Sequence, residues 1–307
     1  MRRAFALLLA LAAAGCTAPP PSARPAESRR LAVLAPSAAE TLAVLGESGR
    51  IVAVGDYVVW PPEVAALPRI GAYDAPSPER LLALGVDLLV TTAGVAGRSE
   101  RERLEAHGIE VLELDTSTYE ATLASMQALG ERVGRGAAAR ELVDGIERRV
   151  DAVARSTESL PQRRVLVVVG RDPLFVAGPG SHLDRLLAAA GATNVAGDLG
   201  APWAQASLEA MLERAPEAIV DTSDNRPGVE RGMLAGPWGR WPFLPAVAAG
   251  RVASVDPWRL TIPGPRLGES AELLARIVHP ESLGAPSAAE LAGPPAPSGR
   301  SAAGEAR

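Results

Sequence analysis

The sequence predicts an α/β protein of two Rossmann-like lobes joined by one long α-helix. Short apolar runs alternate with amphipathic stretches, and that βαβα order gives mainly parallel sheets covered by helices. The order is played out twice along the chain. Between the two runs lies a charged stretch whose apolar residues recur only at helical spacing.

In chain order, the N-terminus is a processing segment. Arg2 and Arg3 precede an apolar run from Ala4 to Ala14, and roughly eleven residues are too few to cross a bilayer as a helix. Residues 1–15 are therefore expected to be a signal peptide. Gly15-Cys16 follows small residues in a pattern that resembles the bacterial lipobox, which makes Cys16 the expected lipidation site. Residues 16–30, rich in Pro, Ala and Ser, read as a tether.

The first lobe is expected over residues 31–135. Leu31 to Leu34, Ile51 to Val54, Leu88 to Thr91 and Val111 to Leu114 read as strands. Helices are expected at Ala38 to Leu45, Pro78 to Leu84, Glu100 to His107 and Tyr119 to Val133. Ser37 and Ser77 are N-cap candidates, and Gly46, Gly85 and Gly108 stand where helices stop.

A connecting helix is expected over residues 136–160. Leu142, Ile146, Val150 and Val153 form a narrow stripe and the rest is charged, which suits a helix laid across the outside of two bodies. The second lobe follows over residues 161–281. Its strands are Val165 to Val169, Ala218 to Asp221 and Val252 to Val255, and its helices His182 to Ala189, Leu208 to Arg214 and Gly268 to Val278. Residues 282–307 return to Pro, Ala and Ser and are expected to be disordered.

Composition removes several function classes. Cys16 is the only cysteine, so the folded part has neither an internal disulfide nor a thiolate metal cluster. The sequence contains no lysine, all 31 basic residues being arginine. A phosphate-binding Walker loop and Schiff-base chemistry both need that amine, and both are excluded. Net charge is −5 and the folded part has no basic run, which argues against a nucleic-acid partner.

Aromatic residues are only 4% of the chain, so where they fall is informative. Tyr57, Trp60, Phe175 and Trp258 follow expected strands, while Tyr73 and Trp203 precede expected helices. Trp238, Trp241 and Phe243 lie in a Gly/Pro-rich connection, and Tyr119 alone begins a helix. Ligands of open α/β sheets bind outside the carboxyl ends of the strands, so rings in these loops point to a shared cleft between the lobes. The alternative is that each ring packs under a Pro-rich loop of its own lobe, as Trp60-Pro61-Pro62 and Pro202-Trp203 would permit.

At these residues the chain resembles a known family, the periplasmic binding proteins with one long helix between lobes that serve ABC importers of cobalamin, iron-siderophores and haem. The resemblance runs from about Leu31 to Glu281. Its markers are Ala35-Pro-Ser-Ala-Ala-Glu40, Asp56-Tyr57 with Pro61-Pro62, Pro68-Arg-Ile-Gly71-Ala-Tyr73 and Pro76-Ser-Pro-Glu79-Arg-Leu-Leu-Ala-Leu84. Pro202-Trp203 with Ser207-Leu-Glu209, then Asp256 and Pro263-Gly-Pro265-Arg266-Leu, complete the series.

Tyr57, the aromatic at Tyr73 and Pro202-Trp203 look like the cobalamin-binding members. The resemblance implies a ligand site of Tyr57, Trp60, Tyr73, Phe175, Trp203, Asp256, Trp258 and Arg259. A flat macrocycle suits ring faces, which bury large area at small entropic cost. It further implies that Glu79 and Glu209, one per lobe, face the importer's permease, whose ATPase drives transport. Read without the resemblance, both are N-terminal helix acids that favour the dipole. The implied place is the periplasmic or outer face of a bacterial membrane, held only by the lipid at Cys16, with no cofactor or metal of its own.

Three alternatives are weighed against this. Gly178-Pro-Gly180-Ser181-His182 lacks both a nucleophile elbow and the dinucleotide glycine pattern, so an enzyme is disfavoured and Ser181 reads as an N-cap. His107, His182 and His279 are too scattered for a metal ion, although His182 stands near the expected cleft. An iron-siderophore or haem ligand would call on Arg98, Arg171, Arg259 and Arg266. A continuous helix between lobes also predicts only small closure when ligand binds.

Overall fold

The structure is a computed structural model and describes residues 26–294 except 73–75, 95–96, 225 and 227. Cys16 and Tyr73 lie outside the described residues. In the first lobe, strands β1 (Leu31–Val33), β2 (Ile51–Val54), β3 (Leu88–Thr92) and β4 (Glu110–Leu114) form a fully parallel sheet in the order β2-β1-β3-β4. β1, β2 and most of β3 are apolar because both faces are covered, as a parallel sheet requires, whereas the edge strand β4 carries Glu110 and Glu113.

Successive residues serve opposite faces. Leu31, Val33, Leu88 and Val90 pack with Ala38, Ala39 and Leu42 of the helix Pro36–Val44. Ala32, Leu34, Ala53 and Leu89 pack on the other side with Leu81 and Leu104, from the helices Pro78–Ala83 and Arg98–Ala106. Ser77 caps the first of those two helices, as expected. Ser37 does not cap: the chain enters its helix at Ala35 with Pro36 in the first turn, and Ser37 is buried one position further in. Proline's fixed φ favours the first helical position, which moves the start of the helix upstream. Gly46, Gly85 and Gly108 end their helices with φ of +77°, +60° and +80°, a conformation that side chains disfavour.

The second lobe holds β5 (Arg163–Arg171), β6 (Leu174–Ala177), β7 (Ala192–Asn194), β8 (Trp203–Gln205), β9 (Ala218–Asp221) and β10 (Val252–Ser254). The order is β10-β9-β5-β6-β8, with β7 also on β5. β10, β9, β5 and β7 run parallel, whereas β6 and β8 form an antiparallel extension. This antiparallel part is absent from the sequence reading.

The joint between lobes is thicker than one helix. The expected long helix is present as Gly136–Thr157, but its buried stripe is Ala139, Val143, Ile146, Val150, Val153 and Thr157, packed into the second lobe and not lying outside both. The preceding helix, Tyr119–Arg132, crosses between the lobes too. Tyr119, Leu123 and Met126 belong to the second lobe's core, while Leu129 belongs to the first lobe's. The boundary expected at residue 135 is therefore straddled. The two helices meet at Gly130, where an added Cβ would lie 2.2 Å from the Ala139 Cβ, so only hydrogen allows that approach.

The expected disordered tail over residues 282–307 also needs correction. Ser287 begins a short helix, Ala288–Leu291, with a complete capping box to Glu290, and Leu291 is wholly buried in the second lobe's core. This strap continues to the limit of the described residues.

Candidate functional site

Both lobes bring aromatic groups to the carboxyl ends of their sheets. In the first lobe, the segment after β2 carries Tyr57, which is 56% exposed, and Trp60, which is half-buried. In the second lobe, the segment after β10 carries Trp258. The Trp60 and Trp258 rings meet edge to face, centroids 5.8 Å apart at 71°, a favoured aromatic geometry. The lobes thus touch through residues that the sequence had singled out.

Trp258 is held from several sides. Asp256 caps the short helix Pro257–Leu260 by accepting from the Trp258 backbone N–H at 3.0 Å. The indole Nε1 donates to Glu40 Oε1 in the first lobe at 2.9 Å. The Arg266 guanidinium lies 3.5 Å from the ring centroid and donates to both Glu40 oxygens at 2.9 Å. Burial pushes the Glu40 carboxyl above the ordinary carboxylate range, against the pull of the Arg266 and Trp258 donors. Glu40 was not among the sequence-derived site residues. The available signal was the single charged residue of the helix Pro36–Val44, where an unpaired buried charge would be costly.

A second aromatic wall stands on the antiparallel extension. Ala177 pairs with Trp203 and Phe175 with Gln205, so Phe175 and Trp203 share one face of the ribbon. They are 37% and 39% exposed. Behind Trp203 lies the wholly buried His182, ring centroids 5.6 Å apart. His182 Nε2 donates to the Leu260 carbonyl at 2.7 Å, which ties this wall to the segment that bears Trp258. Its Nδ1 has no hydrogen-bond partner among the described residues. Burial drives the imidazole pKa down to about 4.

Not every expected wall residue faces open space. Asp256 serves as the helix cap and also approaches Arg231 at 3.5 Å. Arg259 lies beside Trp258 and donates to the Ala292 carbonyl at 2.6 Å. Both act on the shape of the Trp258 segment. Tyr119 packs in the core beside Arg185. Trp238 is buried, with its Nε1 donating to Asp221 at 2.7 Å, and Trp241 packs against it, so these rings serve the second lobe alone.

Glu79 and Glu209 stand in matching frames. Each is exposed and lies in the first turn of a six-residue helix, two residues beyond a serine that caps it. Ser77 Oγ donates to Glu79 at 3.2 Å and Ser207 Oγ to Glu209 at 2.7 Å. Glu79's own backbone N–H and Ser77 lower its pKa, and Ser207 followed by the residue's own N–H lowers that of Glu209.

The alternative chemistries find little support. Ser181 is buried, caps the helix His182–Ala189 and donates to the Gly178 carbonyl at 2.9 Å, so it is no exposed nucleophile. Among the described residues no group of three or more His, Cys, Asp or Glu could hold a metal ion. His279 is buried against the Ala190 carbonyl, and His107 ends its helix. Arg171 bonds Ser223 at 2.7 Å and approaches Asp221 and Asp224. Arg266 is committed to Glu40, and Arg98 begins an exposed helical turn.

Comparison with known proteins gives a consistent result. A family model described as periplasmic binding protein matches residues 31–257. The uncharacterized ABC transporter substrate-binding lipoprotein YvrC of Bacillus subtilis is 27% identical over 264 residues, covering 84% of this chain and 82% of that protein. The vitamin B12-binding protein of Salmonella typhimurium is 30% identical over 171 residues, 55% of this chain and 64% of its own length. Among solved structures, the heme binding protein HutB of Vibrio cholerae has a TM-score of 0.72 at 19% identity, covering 82% of this chain and all of that one. The vitamin B12 binding protein BtuF of the same organism has a TM-score of 0.69 at 21% identity over 82% and 97%. Such identities show a common fold of two lobes.

Proposed function

Because the chain belongs to the periplasmic binding protein family and is a substrate-binding, non-enzymatic component of ABC transport, we propose that its ligand is cobalamin or a related corrinoid, held between the two aromatic walls. The observation that carries this reading is that both lobes leave rings exposed, Tyr57 in one and Phe175 and Trp203 in the other, while the nearby arginines are already engaged by the protein. A flat, amide-rimmed macrocycle gains from ring faces, whereas an anionic ferric chelate draws on arginine forks. Similarity to vitamin B12-binding proteins adds support. Lipidation at Cys16 and residence on the outer or periplasmic face of the membrane belong to the same proposal, supported by the lipoprotein relative.

The test is optical. Purified protein is titrated with cobalamin, haemin and ferric siderophores, following tryptophan emission and ligand absorbance. Cobalamin is expected to quench saturably, and Trp203→Ala to weaken it by at least about tenfold, the cost of losing a central aromatic anchor. Binding of haemin or a ferric chelate alone, with cobalamin inert, overturns the reading in favour of those ligands.

Glu79 and Glu209 would then meet arginines of the permease. Glu79→Ala combined with Glu209→Ala is expected to leave cobalamin quenching unchanged and to lower uptake in cells. Normal uptake by that double variant removes the docking role.

A further inference from the structure

Every hydrogen bond described for the Glu40 carboxylate comes from the opposite lobe. Trp258 Nε1, Arg266 Nε and Arg266 Nη2 each donate at 2.9 Å. Glu40 is 4% exposed, so the pair is screened from solvent. Arg266 also donates to the Trp258 backbone carbonyl at 2.8 Å, which fixes the two second-lobe partners to one another. The turn before Arg266 reaches the same first-lobe helix: a Cβ on Gly264 would lie 3.5 Å from Ser37. That contact also accounts for Ser37 being buried.

We infer that Glu40, Trp258 and Arg266 are positioning residues that clamp the lobes together at one end of the cleft and so fix the separation of its aromatic walls. A buried ion pair adds little net stability, because desolvation offsets the attraction. Its contribution here is geometric: a guanidinium fork on a carboxylate sets both distance and orientation. The helices Tyr119–Arg132 and Gly136–Thr157 are one attachment between the lobes, and a body attached at one place still rotates about it. The clamp is a second, separate attachment, and two together remove most of that freedom. Trp258 is accordingly a key between lobes, its face under Arg266 and its edge on Trp60.

The first readout needs no ligand, so it stands apart from the cobalamin reading. The full chain carrying Cys16→Ser is spin-labelled at Glu102→Cys and Glu213→Cys, exposed sites on an outer helix of each lobe, and the interlobe distance is measured by pulsed electron paramagnetic resonance. The key variant is Glu40→Met with Arg266→Leu, since apolar replacement of a buried pair tends to preserve stability. It is expected to keep its melting temperature while the distance distribution broadens and shifts, and to release cobalamin about tenfold faster, within the usual range of coupling between sites. A wild-type distance distribution in that variant overturns the inference. Should it not fold, Trp258→Phe keeps an aromatic face under Arg266 while removing the Nε1 donor together with part of the ring's area. Broadening there supports the clamp and an unchanged distribution overturns it. Broadened distances in a protein that binds no cobalamin would remove the ligand reading and leave the clamp in place.

Discussion

Leu291→Ala is expected to destabilise the protein by about 3 kcal/mol, the loss typical of truncating a fully buried leucine. Leu291 is wholly enclosed by the second lobe's core, so its methyl groups leave a cavity with rigid walls. The effect should extend beyond stability, because the strap supports the Trp258 segment. The Leu291 carbonyl accepts from the Asp256 N–H at 2.8 Å, and the Ala292 and Ala289 carbonyls accept from Arg259. Gly293 packs so close to Asp256 that a Cβ would fall 2.5 Å from its carboxyl carbon. Urea unfolding gives the stability change, and tryptophan emission of the folded variant reports the Trp258 environment. Ala289→Ser, on the exposed side of the same turn, is the control and should stay within about 0.5 kcal/mol. A loss below about 1 kcal/mol in Leu291→Ala would mean that the strap is not part of the core.

That strap shows what the sequence concealed. Composition from residue 282 onward matches a disordered tail, yet Ser287-Ala-Ala-Glu290 is a capping box ahead of Leu291, a local signal that was present and outweighed by the surrounding Pro and Ala. The central strands and helices were legible because each covers a full period of its pattern: Leu88–Thr92, Tyr119–Arg132 and His182–Ala189 fall within a residue or so of expectation. The ribbon of Leu174–Ala177 and Trp203–Gln205 was not, since Trp203-Ala-Gln205 carries no apolar run and becomes a strand only by pairing with Leu174–Ala177. Aromatic placement in loops pointed to rings near the meeting of the lobes, where Trp60 and Trp258 are in contact. It could not say which rings remain open to ligand, because that depends on what covers them: Arg266 lies over Trp258 and the second lobe's core encloses Trp238, contacts that the folded chain decides. Glu40 illustrates the same limit. Its place among apolar neighbours signalled a buried partner, but only the fold identifies that partner as Arg266, 226 positions away.

Acidification from pH 7 to pH 4.5 is expected to cost the wild-type protein about 2.5 kcal/mol through His182 alone, on top of the general effect of its carboxylates. The sign follows from the two states. Unfolded, the imidazole titrates near its ordinary value of 6.5; folded, burial holds it at about 4. Between those values the unfolded chain binds the extra proton, so the His182 contribution is complete above pH 6.5 and is lost as pH falls toward 4. The structure explains the depression: a proton on Nδ1 would place a charge in an enclosed site where that nitrogen has no partner, while Nε2 already serves the Leu260 carbonyl. His182→Gln can retain a donor toward Leu260 and cannot titrate, so its unfolding free energy should fall less steeply over the same interval, by about the same 2.5 kcal/mol. Urea denaturation of both proteins at pH 7 and 4.5 measures the difference. Parallel losses in the two would show that His182 protonates without penalty. In that event the rigid link from Trp203 through His182 to the Trp258 segment would have to give way at far milder acidity than its burial implies.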